Sequence, residues 1–300
     1  MAGHDTPESI SGALDLNLRG TRVLCNFLAV GGLLELRPDA GYQVLCHPVA
    51  NRKDRLHPVA RLIVASTQLG RPPIDLHERF MRGATNAASW RRTKDEYLYQ
   101  THEAVRTVVG HLRSRIPTAP KILDLGCGPG GFSAELASLE GAKVVGLDYP
   151  EVVKVARDIV EVEWPWLAGS QELTFRGGDI PSMEFGEGYD LILAANFLHC
   201  LYLPNIERVA GKIARALAPG GLFAIFDAFH DAGGEEAHSA ACMQDLLLLI
   251  SHVEGRVYSL TEMTEALSNS GLLIEQMIQI EGRQLILARP NSLQAREVKP

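Results

Sequence analysis

Apolar, strand-like segments alternate with helix-like segments from residue 121 to near the end of the chain. KILDL, VVGLD and YDLILAA are typical of buried strands, and PEVVKVARDIVEV and PNIERVAGKIARALA have helical periodicity. Strands separated by such helices form a parallel sheet that is covered on both faces. Near the end, LLIEQMIQI and RQLILAR are joined only by Glu281 and Gly282, which permits only an antiparallel hairpin. The pattern predicts an α/β fold with a doubly wound, seven-stranded, mostly parallel sheet and a C-terminal antiparallel hairpin.

The first part of the chain has a different pattern. TRVLCNFLAVGGLLEL has helical spacing that ends at Gly31 and Gly32, and a turn opening on a short strand follows in RPDAGYQVL. This order resembles a winged helix, so we predict a small, mainly helical, winged-helix-like module over residues 1–115 and a second domain over residues 116–300. The candidate recognition helix offers Arg22 and little other positive charge, which favours an acceptor-pocket or dimerisation role over DNA binding.

The composition narrows the range of partners. The formal net charge of -7 gives no positive surface for phosphate backbones and argues against a nucleic-acid partner. The densest apolar run, LLLLI, is too short to span a bilayer, and the N-terminal residues lack the pattern of a secretory signal. Five cysteines without a CxxC pair suggest reduced thiols. We expect a cytoplasmic protein with a small-molecule ligand and no membrane partner.

Acidic residues surround a glycine-rich turn at 126–131, where ligands of doubly wound sheets bind. Asp124 precedes the turn, where a carboxylate would oppose a pyrophosphate but favour an ammonium group. Asp148 ends the next strand and is placed to accept hydrogen bonds from ribose hydroxyls, and Asp179 ends the third, where it could read an exocyclic amine. A ligand with a cationic amine, a ribose and an adenine but no phosphate is S-adenosylmethionine (SAM).

Four segments in order, ILDLGCGPG, VVGLD, GGDI and ARALAPGGLFAIFD, resemble the successive motifs of class I SAM-dependent methyltransferases. The resemblance covers roughly residues 115–290 and implies that SAM is the cofactor. The residues that it places at the cofactor are Asp124, Gly126, Cys127, Gly128, Gly130, Asp148, Tyr149, Gly178, Asp179, Ile180 and Asn196.

With the N-terminal module included, the chain is similar to the small-molecule O-methyltransferases of plant phenolic and bacterial polyketide pathways. This resemblance implies O-methylation of a hydroxyl in secondary metabolism. It also implies that His199, in NFLHCLYLPN, removes the acceptor proton and that Asp227, in AIFDAF, orients the acceptor or the histidine ring. His252 is the next candidate for the base.

The chain departs from this narrower family at three positions. Cys200 stands where the family has Asp, Leu201 where it has a Trp that stacks on adenine, and Val257 where it has a second acid. The N-terminal module is also shorter than in the plant enzymes. A homodimer stays one of the alternatives, but these departures argue against extensive dimerisation through the N-terminal module.

Several functions fit these residues. One is C- or N-methylation, including a metal-assisted form in which His199, Asp227 and His252 hold iron, as in the few relatives that act on 2-oxo acids; two histidines and one carboxylate suit such a metal. A second is a rearrangement in which SAM is bound but gives up no methyl group. A third, outside enzymology, is a SAM-sensing winged-helix regulator, which the acidic charge disfavours.

Overall fold

Two short helices and a two-stranded hairpin form the N-terminal part of the structure. The structure is a computed structural model that describes residues 6–30, 34–37, 41–44, 102–251 and 255–291. The elements of this first part are α1 (Pro7–Leu14), α2 (Leu18–Val30), β1 (Leu34–Arg37) and β2 (Gly41–Val44). The predicted helix thus ends just before the two glycines, and β1 pairs with β2 in antiparallel register. The winged-helix likeness and the domain boundary stay predictions.

A seven-stranded sheet forms the second part. Its strands are β3 (Lys121–Leu125), β4 (Lys143–Asp148), β5 (Leu173–Gly177), β6 (Tyr189–Ala195), β7 (Leu217–Asp227), β8 (Leu272–Ile280) and β9 (Arg283–Pro290). They lie in the order β5-β4-β3-β6-β7-β9-β8, and the first five in this order pair in parallel. β9 runs antiparallel to both β7 and β8. The predicted fold class is therefore confirmed.

Helices cover the sheet on both sides, as the buried strands require. They are α3 (Gly131–Ala137), α4 (Pro150–Glu163), α5 (Leu203–Ala216), α6 (Glu235–Ser251) and α7 (Leu260–Asn269). Ile122 packs in the core on the side of Phe132 in α3, whereas the next residue of the strand, Leu123, packs with Val209 in α5. Successive side chains of a strand point to opposite faces, so both faces of β3 are buried. Among the described residues, no helix combines the length and the apolar character that a bilayer crossing needs.

The β8–β9 turn has the backbone of a tight hairpin, and the order of the parallel strands shows where a ligand can bind. Glu281 and Gly282 both have positive φ angles, of 49° and 72°, as a two-residue hairpin turn requires. The chain passes from β3 to β4 on one side and later returns to β6 on the other, so the strand order reverses at β3. A ligand cleft is expected beyond the carboxyl ends of the strands at such a switch point.

Candidate active site

The glycine turn that follows β3 has a backbone conformation and a close packing that a side chain would prevent. Gly126 has a φ of 70°, and its N–H donates to the Leu147 carbonyl of β4 at 2.8 Å. A Cβ at this position would lie 2.4 Å from the Phe197 ring. The turn therefore needs glycine both for its backbone and for the close approach of the segment that follows β6.

Asp148 at the end of β4 faces this turn. Its Oδ2 accepts the Gly128 N–H at 2.9 Å, and its Oδ1 accepts the Tyr149 N–H at 2.7 Å. Burial raises the pKa of the carboxyl to about 6, and the two backbone donors partly offset this. Each carboxylate oxygen keeps a second lone pair, so the group can still accept hydrogen bonds from a diol.

Replacement of Asp148 by alanine should weaken SAM binding by about 10²-fold, because it removes hydrogen bonds to a buried diol that together contribute a few kcal/mol. Calorimetric titration with SAM measures the effect. Asp148→Asn keeps an acceptor for Gly128 and separates loss of the ribose contact from loosening of the turn. Glu161→Gln, at an exposed site on α4, is the matched loss of one negative charge. Unchanged affinity in a folded Asp148→Ala protein would contradict the assignment.

Asp124 lies behind the turn. It is 1% exposed, and the Ser133 hydroxyl in α3 donates to its Oδ2 at 2.6 Å. Burial raises the pKa of this carboxyl to about 7, and the nearby Asp148 adds to the rise. Buried Cys127 lies beside the same acids, and burial likewise raises the pKa of its thiol. The structure thus places Asp124 where it ties the turn to α3, and its contact with an ammonium group stays a prediction.

The predicted cofactor residues that follow β5 and β6 lie at the same edge of the sheet. The Gly178 N–H donates to the Asp148 carbonyl at 2.9 Å, which joins the ends of β4 and β5. Asp179 is exposed and its Oδ2 accepts the Ser182 hydroxyl at 2.6 Å, whereas the next residue, Ile180, is buried. After β6, Asn196 has a φ of 51°, a left-handed conformation that is uncommon outside glycine.

His199 and Asp227 form a buried pair at this edge. His199 lies in a short 3₁₀ turn after β6, and its Nδ1 is 2.7 Å from Asp227 Oδ1 at the end of β7. The same oxygen accepts the Ala228 N–H at 2.8 Å, and both side chains are almost fully buried. Burial opposes a charged ring, but Asp227 and, to a lesser extent, Cys200 outweigh it and raise the pKa of His199 to about 10. The contact with Asp227 therefore stabilises the protonated form of the ring.

Gln244 is a member of this site that sequence reasoning missed. Its Nε2 lies 2.9 Å from Nδ1 and 3.2 Å from Nε2 of His199, while its buried Oε1 has no hydrogen-bond partner among the residues that the structure describes. The residue belongs to α6. Its spacing of 45 residues from His199 carries no motif that could have indicated the contact.

The described part of the chain does not test the metal-assisted alternative. Its third ligand, His252, lies outside the described residues, and no group of three or more potential ligands able to hold a metal occurs among those that are described. His199 and Asp227 are hydrogen-bonded directly to each other.

Comparisons with known proteins identify the kind of domain that this chain contains. Residues 122–221 match the family described as methyltransferase domain. A sterol 24-C-methyltransferase of Gibberella zeae is 35% identical over 108 residues, which are 36% of this chain and 27% of that protein. The chain spans about a third or less of the length of the curated relatives that it matches.

Solved structures resemble a larger part of the chain. An O-methyltransferase family 2 protein of Planctomyces limnophilus in complex with apigenin is 22% identical, with a TM-score of 0.59, and the match covers 95% of this chain and 85% of that one. Human N-acetylserotonin methyltransferase in complex with SAM is 19% identical, with a TM-score of 0.51 and coverage of 97% and 89%. At these identities the likeness establishes the fold.

The family match shows a methyltransferase domain, and the fold is shared with solved methyltransferases, one of them in complex with SAM. They leave the individual site residues as predictions. Residues 122–221 of the chain form a methyltransferase domain.

Proposed function

We propose that the protein transfers the methyl group of SAM to a hydroxyl oxygen of a small molecule in secondary metabolism. The buried His199–Asp227 pair carries the proposal, because it places a histidine ring that a carboxylate orients at the same edge of the sheet as the glycine turn. The fold shared with an O-methyltransferase family 2 protein supports the choice of oxygen. Incubation with methyl-labelled SAM and extracts of the producing cell, followed by mass spectrometry of the labelled product, tests it.

The methyl sulfonium of SAM is already activated, so the protein mainly has to align acceptor, methyl carbon and sulfur. Alignment alone can lower a barrier by about 7 to 11 kcal/mol in ideal intramolecular cases. A hydroxyl acceptor must also lose a proton. His199 takes it on Nε2, since Nδ1 is held by Asp227, and the raised pKa of the ring makes it a strong base once it is neutral.

Gln244 selects the form of His199 that can accept this proton. With Nδ1–H donated to Asp227, the neutral ring has its lone pair on Nε2, so the Gln244 amide can donate only there, across 3.2 Å, although its nitrogen lies 2.9 Å from Nδ1. The acceptor hydroxyl then replaces the amide at Nε2. The buried Oε1 of Gln244, which lacks a partner among the described residues, would be satisfied by a donor group on the bound acceptor.

Replacement of Gln244 by leucine should raise the pKa of His199, because the neutral ring loses a hydrogen bond. One such bond corresponds to up to about one pKa unit, so the rising limb of log kcat/KM should move to higher pH by that amount. Gln244→Glu, which adds a negative charge beside the ring, should move it further in the same direction. An unchanged pH profile in both variants would show that Gln244 does not act on His199.

Carbon is the second candidate for the methylated atom. Sterol 24-C-methyltransferases are among the curated relatives of the chain, although they match only 108 to 150 of its residues. The labelling experiment separates the two, because an O-methyl group and a C-methyl group differ in their ¹³C chemical shift. Release of S-adenosylhomocysteine excludes a rearrangement without methyl transfer, and an unshifted DNA fragment in a gel excludes the regulator.

The proposal also covers location and partners. It places the protein in the cytoplasm, with a small-molecule acceptor and without a nucleic-acid partner, in keeping with the net charge of -7. The winged-helix-like module would serve the acceptor pocket or a homodimer.

A further inference from the structure

A cation lies at the ligand-binding edge of the sheet with no described acid to pair with. Arg283 opens β9 immediately after the hairpin turn, and the next residue, Gln284, is in register with Asp227 of β7. Because β7 ends at Asp227, Arg283 lies at the carboxyl edge. Its guanidinium reaches across to β6 and donates to Oδ1 of Asn196.

Asn196 is held in a conformation that serves this contact. Its φ of 51° is left-handed, and its N–H donates to the Phe226 carbonyl of β7 at 2.8 Å. Such strained positions in residues other than glycine cluster at ligand sites. The next residue, Phe197, lies against Gly126 of the glycine turn, so the Asn196–Arg283 pair borders the cofactor site.

The charge of Arg283 is not neutralised within the described part of the protein. Arg256 and Arg289 are ion-paired with Glu262 and Glu275, but Arg283 has no carboxylate within ion-pair distance among the described residues. It is half-buried, and only one of its five N–H donors has a described partner.

Three buried or partly buried acids at this edge are already engaged, and the exposed Glu236, which lies against Gly282, makes no ion pair with Arg283 among the described contacts. Asp227 binds His199, Asp148 binds backbone N–H groups, and Asp124 binds Ser133. A half-buried guanidinium without an acid favours an anionic ligand, and its planar fork matches a carboxylate.

We propose that Arg283 and Asn196 form a carboxylate-binding subsite. The carboxylate belongs either to the methionine part of SAM or to an acidic acceptor. Both sources rest on the proposed function. The first depends on SAM as the cofactor, and the second depends on a small-molecule acceptor. In both, Arg283 supplies two N–H donors to the ligand, and Asn196 fixes the position of the guanidinium through its Oδ1.

The cofactor source is tested by calorimetric titration of the full chain with S-adenosylhomocysteine and 5′-methylthioadenosine, which lacks the amino acid part. If the subsite binds the methionine carboxylate, Arg283→Gln should lower the affinity for S-adenosylhomocysteine by about tenfold or more, because a charge-assisted hydrogen bond is lost. Binding of 5′-methylthioadenosine should not change. Arg208→Gln, exposed on α5, is the matched control.

The acceptor source is tested on protein saturated with S-adenosylhomocysteine, by titration with 4-hydroxybenzoate and its methyl ester. If the subsite binds the acceptor, Arg283→Gln should lower the affinity for the acid and leave the affinity for the ester unchanged. Asn196→Gly keeps the left-handed backbone and removes Oδ1, so it should lower the affinity for the same ligand by a smaller factor. It replaces Arg283→Gln if that variant does not fold.

Unchanged binding of S-adenosylhomocysteine together with no loss of 4-hydroxybenzoate binding would overturn the subsite. Failure of the wild-type protein to bind 5′-methylthioadenosine and S-adenosylhomocysteine at all would instead contradict the cofactor site itself, and the subsite with it.

Discussion

Replacement of His199 by glutamine should lower turnover by about 10²- to 10⁴-fold, the usual contribution of a positioned general base, while SAM affinity persists. Glutamine keeps a polar group at this buried position, so the variant should fold. SAM titration checks that the cofactor site is intact, and initial rates measure turnover. If turnover survives, either His252 is the base or the acceptor is acidic enough to need none.

The pH dependence distinguishes a base from a residue that only shapes the site. Asp227 raises the pKa of His199 to about 10, so the ring is protonated at neutral pH and can accept a proton only in its minor, neutral form. The value of log kcat/KM should therefore rise with pH from about 7 and level off near that pKa. Asp227→Asn removes the charge that raises the pKa while burial still lowers it, so the limb should move to lower pH. A flat profile in the wild-type protein would contradict the proton-accepting role.

The fold could be predicted because its signals are local. The alternation of strands and helices and the dipeptide Glu281-Gly282 determine a parallel sheet and a terminal hairpin without knowledge of distant contacts. The winged-helix likeness depends on how separate segments pack, which local periodicity does not encode, and it stays a prediction.

The site could be predicted only where a motif marks it. His199 and Asp227 are 28 residues apart and were connected through the family resemblance, and the structure brings them to 2.7 Å. Gln244 lies in a helix and Arg283 in a hairpin, and neither segment contains a motif that would single these residues out. The raised pKa of His199 also depends on burial and on the distance to Asp227, which appear only in three dimensions.

The N-terminal part contacts the helix that carries Gln244. Val23 of α2 and Leu246 of α6 lie in one buried apolar cluster, with Phe27 and Met243 packed against it. Arg19 of α2 also donates to the Gly255 carbonyl, in the segment that follows α6. The position of α6 beside His199 therefore depends on α2.

Removal of residues 1–90 should preserve much of the SAM affinity and abolish methyl transfer. The predicted cofactor residues all lie between 124 and 196, beyond the deletion, whereas α6 loses its packing partner and with it the placement of Gln244 against His199. The predicted placement of Tyr97 and Tyr99 over the cleft concerns residues outside the described part. Because the deletion exposes the apolar side of α6, SAM titration and turnover are measured on a soluble, monodisperse fragment. Full-length Val23→Ala, which trims the same contact and should cost about 1 to 2 kcal/mol of stability, is the graded control and should lose only part of the turnover. Full turnover by the fragment would show that the N-terminal part has no role in acceptor binding.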